Sequence, residues 1–279
     1  MSAATGRGVG GSVVGGDAPR PLYRVASVAA LLAAALFVLF LAVPVAQLVA
    51  VAGVSGLGKL GSDGELRGAL ALTWLTATAA TLAGVVGGTP LAWALARRSF
   101  PGRALIAAFL DLPLLIPHPA AGIALLLVLG RGSPAGRALL EVGVRVAGSP
   151  LGIVAAMLFV SAPLYISAAR EAFARVDQRY EAVARTLGDP AWRVFRRVTL
   201  PLSRRGLVAA AVVMWARAVS EFGAIVVLTY NPKVTSVLGY DRFTSYGLTE
   251  ALPVAAVLVV LSVLPLVALR ALRSEQVGA

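Results

Sequence analysis

The chain has no cysteine, and its 279 residues include a single histidine. The first absence excludes disulfides, zinc–thiolate sites, iron–sulfur clusters and cysteine nucleophiles. The second argues against a histidine-based metal site and against a Ser-His-Asp triad. Charge is scarce as well. Only 14% of the residues are charged, against about 25% in a soluble domain. With 58% hydrophobic residues, too little polar surface remains to cover a soluble fold. Acidic residues are the scarcer sign, 13 against 25 basic ones, leaving a formal charge of +12. Such an excess can serve nucleic acid, but in so apolar a chain it fits arginines on the inner loops of a membrane protein. A phosphate loop of the form G-x-x-x-x-G-K-[ST] is also missing: "GGTPLA" and "GRGSPAGRA" are Gly-rich but lack the Lys and the hydroxyl in register. If ATP drives this protein, another chain binds it, and no cofactor is expected in this one.

What the chain does have is apolar length. Residues 1–20 are rich in Gly, Ser and Ala, too poor in large apolar groups to offset the entropy of ordering. A disordered cytoplasmic tail is therefore expected over 1–24. Six apolar runs follow, at 26–52, 69–96, 104–130, 151–172, 206–230 and 250–272. Each is long enough to cross a hydrocarbon core of about 30 Å, which takes roughly 20 residues. The expected fold class is all-α: a polytopic membrane protein with six transmembrane helices. A basic patch precedes the first run, as in a signal peptide, but its apolar core is about twice as long as a typical h-region, and an uncleaved span is the better reading. The expected division is 25–64 for the first helix and an external loop, 65–272 for the membrane core, and 273–279 for a cytoplasmic C-terminal tail. "DLPLLIPHPAAG" carries three prolines in seven residues, which predicts a broken or kinked helix.

Lysine and arginine set the orientation. With the N-terminus inside, the inner segments carry 17 of the 25 basic residues, the outer ones 7, and Arg217 lies within a span. Both termini are expected in the cytoplasm of a cell-membrane protein. So is "YEAVARTLGDPAWRVFRRVTLPLSRR", residues 180–205, part of an inner segment with nine arginines from Arg170 to Arg205.

That stretch reads as two short helices, a hairpin over 178–201. Tyr180, Val183, Ala184 and Leu187 lie on one side of the first. Gly188 falls where a helix commonly ends in a left-handed residue. Asp189 and Pro190 read as the cap and first position of the second helix, and Leu200-Pro201 as its end. Trp192, Phe195 and Thr199 share one face, with Arg193 and Arg197 directed away. An apolar face with a basic rim suits docking in a groove of a partner. The competing readings are a loop whose arginines meet anionic lipid and a DNA-binding helix-turn-helix. A DNA reader tethered between two spans would be unusual, and no nucleic-acid partner is expected.

The spacing resembles the permease subunits of ABC importers, whose cytoplasmic loop carries EAA, three residues, Gly, nine residues, Ile, one residue, Leu-Pro. Gly188, Val198, Leu200 and Pro201 fall at the expected offsets. Glu181 lies seven residues before Gly188 rather than six, and Ala182 takes the usual Glu position. Val183 replaces the first Ala, and Ala184 lies just beyond. The resemblance implies that Glu181, Ala182, Gly188, Trp192, Val198, Leu200 and Pro201 belong to a coupling helix that seats in a cleft of a cytoplasmic ATPase. That partner would bind ATP and Mg. It also implies an extracytoplasmic substrate-binding protein and a second permease copy, most simply a homodimer, within membrane lipid.

The fifth run carries Arg217 and Glu221 near its midpoint, where a charge is costly. Four residues apart, they share a helix face and can pair. They read either as a salt bridge that locks the bundle or as pore-lining groups, with Arg217 and Ser220 open to an anion. Asp111 and His118 read as structural. "RAVSEFGAIVVL" and the run Arg242–Gly247 resemble the tungstate/molybdate branch of these permeases, although sulfate permeases share a similar Glu-Phe-Gly-Ala element. The resemblance covers residues 65 to 272. It implies a translocation path (Arg217, Ser220, Glu221) for an oxyanion and no covalent chemistry. The alternatives are a permease for sulfate or another solute, and a secondary transporter with Glu221 and Asp111 as a proton relay.

Overall fold

The computed structural model describes residues 21–274. The tail expected at the N-terminus lies, for residues 1–20, outside them, as do residues 275–279. Helix α1 (Pro21–Ser62) already includes residues 21–24, and it runs on without a break through the loop expected after residue 52. The chain divides into two compact units, one ending at Gln47 and one beginning at Leu48. In the first, apolar side chains such as Leu36, Phe37 and Phe40 are exposed. A helix apolar on all sides has lipid as its natural surroundings.

The second unit is built on α2 (Gly64–Arg97), α6 (Pro150–Ala174) and α9 (Leu200–Val219), which pack on one another. Asp63 caps α2, its carboxylate accepting from the Leu66 amide at 2.9 Å. Tyr165, Phe173, Leu95, Met157 and Met214 are fully buried between these helices. The Tyr165 hydroxyl, which would be costly in hydrocarbon without a partner, lies 2.6 Å from the hydroxyl of Thr89.

The third expected span is broken, as its prolines predict. Helices α3 (Arg103–Leu115) and α4 (His118–Leu129) meet at 115°. Pro117 drives the preceding Ile116 out of the helical region to ψ 144°. Counting this pair as one span gives six candidate spans, with α12 (Leu248–Ser274) as the last. Short helix α5 (Pro134–Glu141) precedes α6. No strand occurs among the described residues.

Two expectations are overturned here. The fifth run is not one helix over 206–230: α9 ends at Val219, and α10 (Gly223–Leu228) begins beyond a break at 220–222. The break lets α10 pack on α4, where a Cβ at Gly122 would stand 2.7 Å from the carbonyl oxygen of Ala224. A further helix, α11 (Thr235–Tyr246), then packs on α12, and Gly247 at φ +83° makes the turn between them. Nor do Leu200 and Pro201 end the second hairpin helix. Helix α8 (Ala191–Val194) passes through a π turn (Phe195–Thr199) directly into α9. Pro201 falls in the first turn of α9, directly behind the π turn.

Candidate functional site

The hairpin consists of α7 (Gln178–Thr186), α8 and the π turn. Gly188 stands at φ +92°, as its position predicts. Its amide donates to the Arg185 carbonyl at 3.0 Å and the Asp189 amide to the Ala184 carbonyl at 3.1 Å. This pair closes a Schellman ending. Asp189 does not cap α8. Pro190 occupies that position, and the Asp189 carboxylate accepts from Arg193 at 2.9 Å instead.

The apolar face also differs from expectation. Tyr180, Val183, Leu187 and Trp192 are exposed and form its open part. Ala184 is buried on the other side of α7, beside Glu181. Trp192 stacks on Phe195 at 5.7 Å, and Phe195 meets Trp93 of α2 edge-on at 5.5 Å. Thr199 is buried, Val198 and Leu200 are half-buried, and Ala182 and Pro201 are exposed. The structure therefore brings Trp192, Val198, Leu200 and Pro201 into one continuous helical run behind the Gly188 turn.

Glu181, displaced by one residue from the motif, is the hub of the hairpin. Its Oε1 lies 3.0 Å from Arg97 Nε and accepts from the Thr199 hydroxyl at 2.9 Å. Arg185 reaches its Oε2 at 3.4 Å. The side chains of Glu181 and Arg97 are 5% and 6% exposed. Arg97 also donates to the Val176 carbonyl at 2.7 Å. One carboxylate thus ties α2, α7 and the π turn together. Sequence reasoning assigned no role to Arg97. Its one available signal was its place at the end of an apolar run.

The second group surrounds the break after α9. Arg217, in the last turn of α9, places Nη2 2.8 Å from Glu221 Oε2. The expected pair is present, although Glu221 lies beyond the helix end. His118, at the start of α4, joins them. Its Nδ1 is 3.0 Å from Glu221 Oε2 and 2.6 Å from Arg217 Nη2, and its Nε2 is 2.9 Å from the same Arg217 nitrogen. Glu221 Oε1 accepts from the Ala224 amide at 2.8 Å, so the buried carboxylate also caps α10. Arg217 and Ser220 line a groove of about 340 Å³ with Leu164, Leu261 and Ser262. Asp111 is exposed on α3 and is not part of this group.

A third group stands at the other end of α2, about 50 Å from the hairpin end at 1.5 Å per residue. Arg242 of α11 donates to Asp63 at 2.6 Å and to Glu65 at 3.0 Å. Lys233 donates to Asp241 at 2.6 Å, and Tyr230 also donates to Asp241. The hydrogen bond from Arg242 holds the Asp63 carboxyl below its usual range, and the Asp63 bond raises Arg242. The run Arg242–Gly247 is thus the end of α11, fastened to the start of α2.

A broken third span, a charged break after α9 and a hairpin between two long helices make an all-helical membrane body. The chain belongs to the family of binding-protein-dependent transport system inner membrane components, which matches residues 84–274. This is the permease subunit of ABC importers, a multi-pass membrane protein. It is 44% identical over 188 residues to the molybdate/tungstate transport system permease protein WtpB of Thermococcus kodakarensis, covering 67% of this chain and 71% of that one. It is 31% identical over 218 residues to the sulfate transport system permease protein CysT of Escherichia coli, covering 77% and 79%. A crystal structure of a bacterial ABC transporter that imports the acidic polysaccharide alginate has the same fold. Its TM-score is 0.66 at 18% identity, over 91% of this chain and 97% of that one.

Proposed function

We propose that this chain forms the translocation path of an importer for tungstate or molybdate. An external binding protein delivers the oxyanion and a separate cytoplasmic ATPase drives the cycle. The higher identity to the molybdate/tungstate permease than to the sulfate permease supports the cargo. The observation that carries the path is Arg217: one nitrogen is committed to Glu221 and His118, while the side chain lines a groove beside Ser220. A guanidinium with donors to spare suits a tetrahedral dianion.

The hairpin is the coupling element in this reading. Its exposed row of Tyr180, Val183, Leu187 and Trp192 offers an apolar face to the ATPase, and the Glu181 node makes it rigid enough to transmit a push. The hairpin and both termini lie in the cytoplasm, and the Asp63–Arg242 end faces the binding protein. Two copies embedded in lipid enclose the path, with residues 65–272 as the membrane core. A proton relay through Glu221 and Asp111 fits less well, because Asp111 stands apart from the cluster.

The test is uptake of radiolabelled tungstate, molybdate and sulfate by proteoliposomes holding the permease, ATPase and binding protein. Uptake of tungstate or molybdate is expected to require ATP and to exceed that of sulfate. Uptake driven by a proton gradient without the ATPase would refute the reading.

A further inference from the structure

Helix α12 carries one polar side chain between Glu250 and Arg270. The sequence there is ALPVAAVLVVLSVLPLVAL, and Ser262 is the exception. Ser262 is exposed and lines the groove of about 340 Å³ that also holds Arg217 and Ser220. The rest of that lining is apolar. The groove does not end at Arg217. On the hairpin side it shares Val213 with a larger cavity of about 660 Å³. Steps of four residues, one helix face, lead from the first cavity into the second. They run from Leu164 to Ala168 on α6, from Arg217 through Val213 to Ala209 on α9, and from Pro265 to Leu269 on α12. Tyr180 of the hairpin lines the far part.

Ser262 Oγ donates to the Leu258 carbonyl at 2.8 Å, and Ser220 Oγ to the Arg217 carbonyl at 3.1 Å. A serine on a helix that faces only lipid rests in the same way. The bond is expendable, because a helical carbonyl four residues back also takes the backbone amide. The hydroxyl can therefore turn to a passing anion and leave no acceptor bare. Its position gives that freedom a use: the single donor of a long apolar stretch stands in the groove of Arg217. We propose that Ser262 is a contact of the translocated anion, a donor that α12 adds to Arg217 and Ser220. This rests on the reading of the groove as the path of a tetrahedral oxyanion. A path must release what it binds. A neutral hydroxyl bonds about half as strongly as a charged donor, so it guides the anion past Arg217 without trapping it. The anion then leaves along α9 through the larger cavity toward the hairpin.

The chain has no cysteine, so one introduced thiol reports on one position. The experiment uses the full complex of permease, ATPase and binding protein, in proteoliposomes for tungstate uptake and in lipid nanodiscs for labelling. Ser262→Ala should lower the uptake rate about fivefold, the worth of one neutral hydrogen bond of about 1 kcal/mol. Ser262→Thr, which keeps the hydroxyl, should restore most of it. Ser262→Cys should react with the anionic reagent methanethiosulfonate ethylsulfonate, read as the intact mass of the permease chain. Tungstate supplied with the binding protein and ATP should slow that reaction. Leu264→Cys, exposed on α12 but outside the groove lining, is the control and should stay unlabelled, as a thiol in lipid does. With tungstate uptake by the unaltered complex intact, normal uptake by Ser262→Ala overturns the assignment of Ser262 alone. So does a Ser262→Cys thiol that is as inert as the control or that tungstate does not protect. Absence of tungstate uptake by the unaltered complex overturns the transport reading, and this assignment falls with it.

Discussion

Glu181 and Arg97, 84 positions apart in the chain, form a 3.0 Å ion pair with both side chains almost wholly buried. The pair joins the end of a membrane-spanning helix to the first helix of the hairpin. Removing one partner of such a pair costs about 3–5 kcal/mol, because the other charge is left buried. Glu181→Leu should therefore loosen the hairpin, seen as faster tryptic cleavage near Arg185 and lost ATPase association. Arg97→Met combined with Glu181→Leu should recover part of the resistance to trypsin. Equal sensitivity in the single and double variants would show that the pair adds nothing to the order of the hairpin.

Gly188 isolates a backbone effect. A Cβ there would meet nothing within 4 Å, so only the left-handed φ of +92° resists substitution. Gly188→Ala should cost about 1–2 kcal/mol and Gly188→Asn less, since Asn tolerates this conformation. The expected order of ATPase affinity is Gly, then Asn, then Ala or Val, with membrane insertion unchanged. Normal binding and transport by Gly188→Val would remove the hairpin from coupling.

At the far end of α2, pH should act through Asp63. The Arg242 hydrogen bond depresses its folded pKa below the ordinary 3.8. The stabilisation is then fully present above the unfolded value and is lost as pH falls below 3.8 through the folded value. Its size should be about 1 kcal/mol, the net worth of a typical hydrogen bond, since both side chains are partly buried. Thermal unfolding in detergent should show a loss on acidification below pH 4 that Asp63→Asn reduces. An identical acid profile in that variant would remove Asp63 from the effect.

Much of this architecture is legible in the sequence, because lipid demands long apolar runs and Pro117 dictates a break. Gly188 is legible too, since its φ is a local property. The parts missed are long-range. That α9 breaks after Val219 depends on α4 lying against α10, and no periodicity within residues 206–230 reports it. Leu200-Pro201 reads as a stop by local rules, yet a π turn absorbs the proline and the helix continues. Glu181 looks misplaced in its motif because the residue that explains it, Arg97, belongs to another helix. His118 reads as structural on a proline-rich stretch, and its place beside Arg217 and Glu221 depends on the fold.

Arg217 gives the sharpest test of the path. Its Nη2 lies 2.8 Å from Glu221, but Glu221 has two further partners, His118 and the Ala224 amide. Glu221 is 1% exposed and Arg217 23%, so the carboxylate is sealed while the guanidinium reaches the groove. If Arg217 served only Glu221, Arg217→Met alone would be harmful and its combination with Glu221→Gln would insert and transport normally. If it meets the anion, the combination should insert normally and still fail. We expect the second result, with uptake down at least about tenfold, the worth of one charge-assisted hydrogen bond. Glu221→Gln alone should keep more activity than Arg217→Met alone, since the amide oxygen still accepts from Ala224. The measurement is tungstate uptake by the two single variants and the double variant, normalised to membrane-inserted protein. Full uptake by the double variant would leave Arg217 a packing residue and move the path elsewhere.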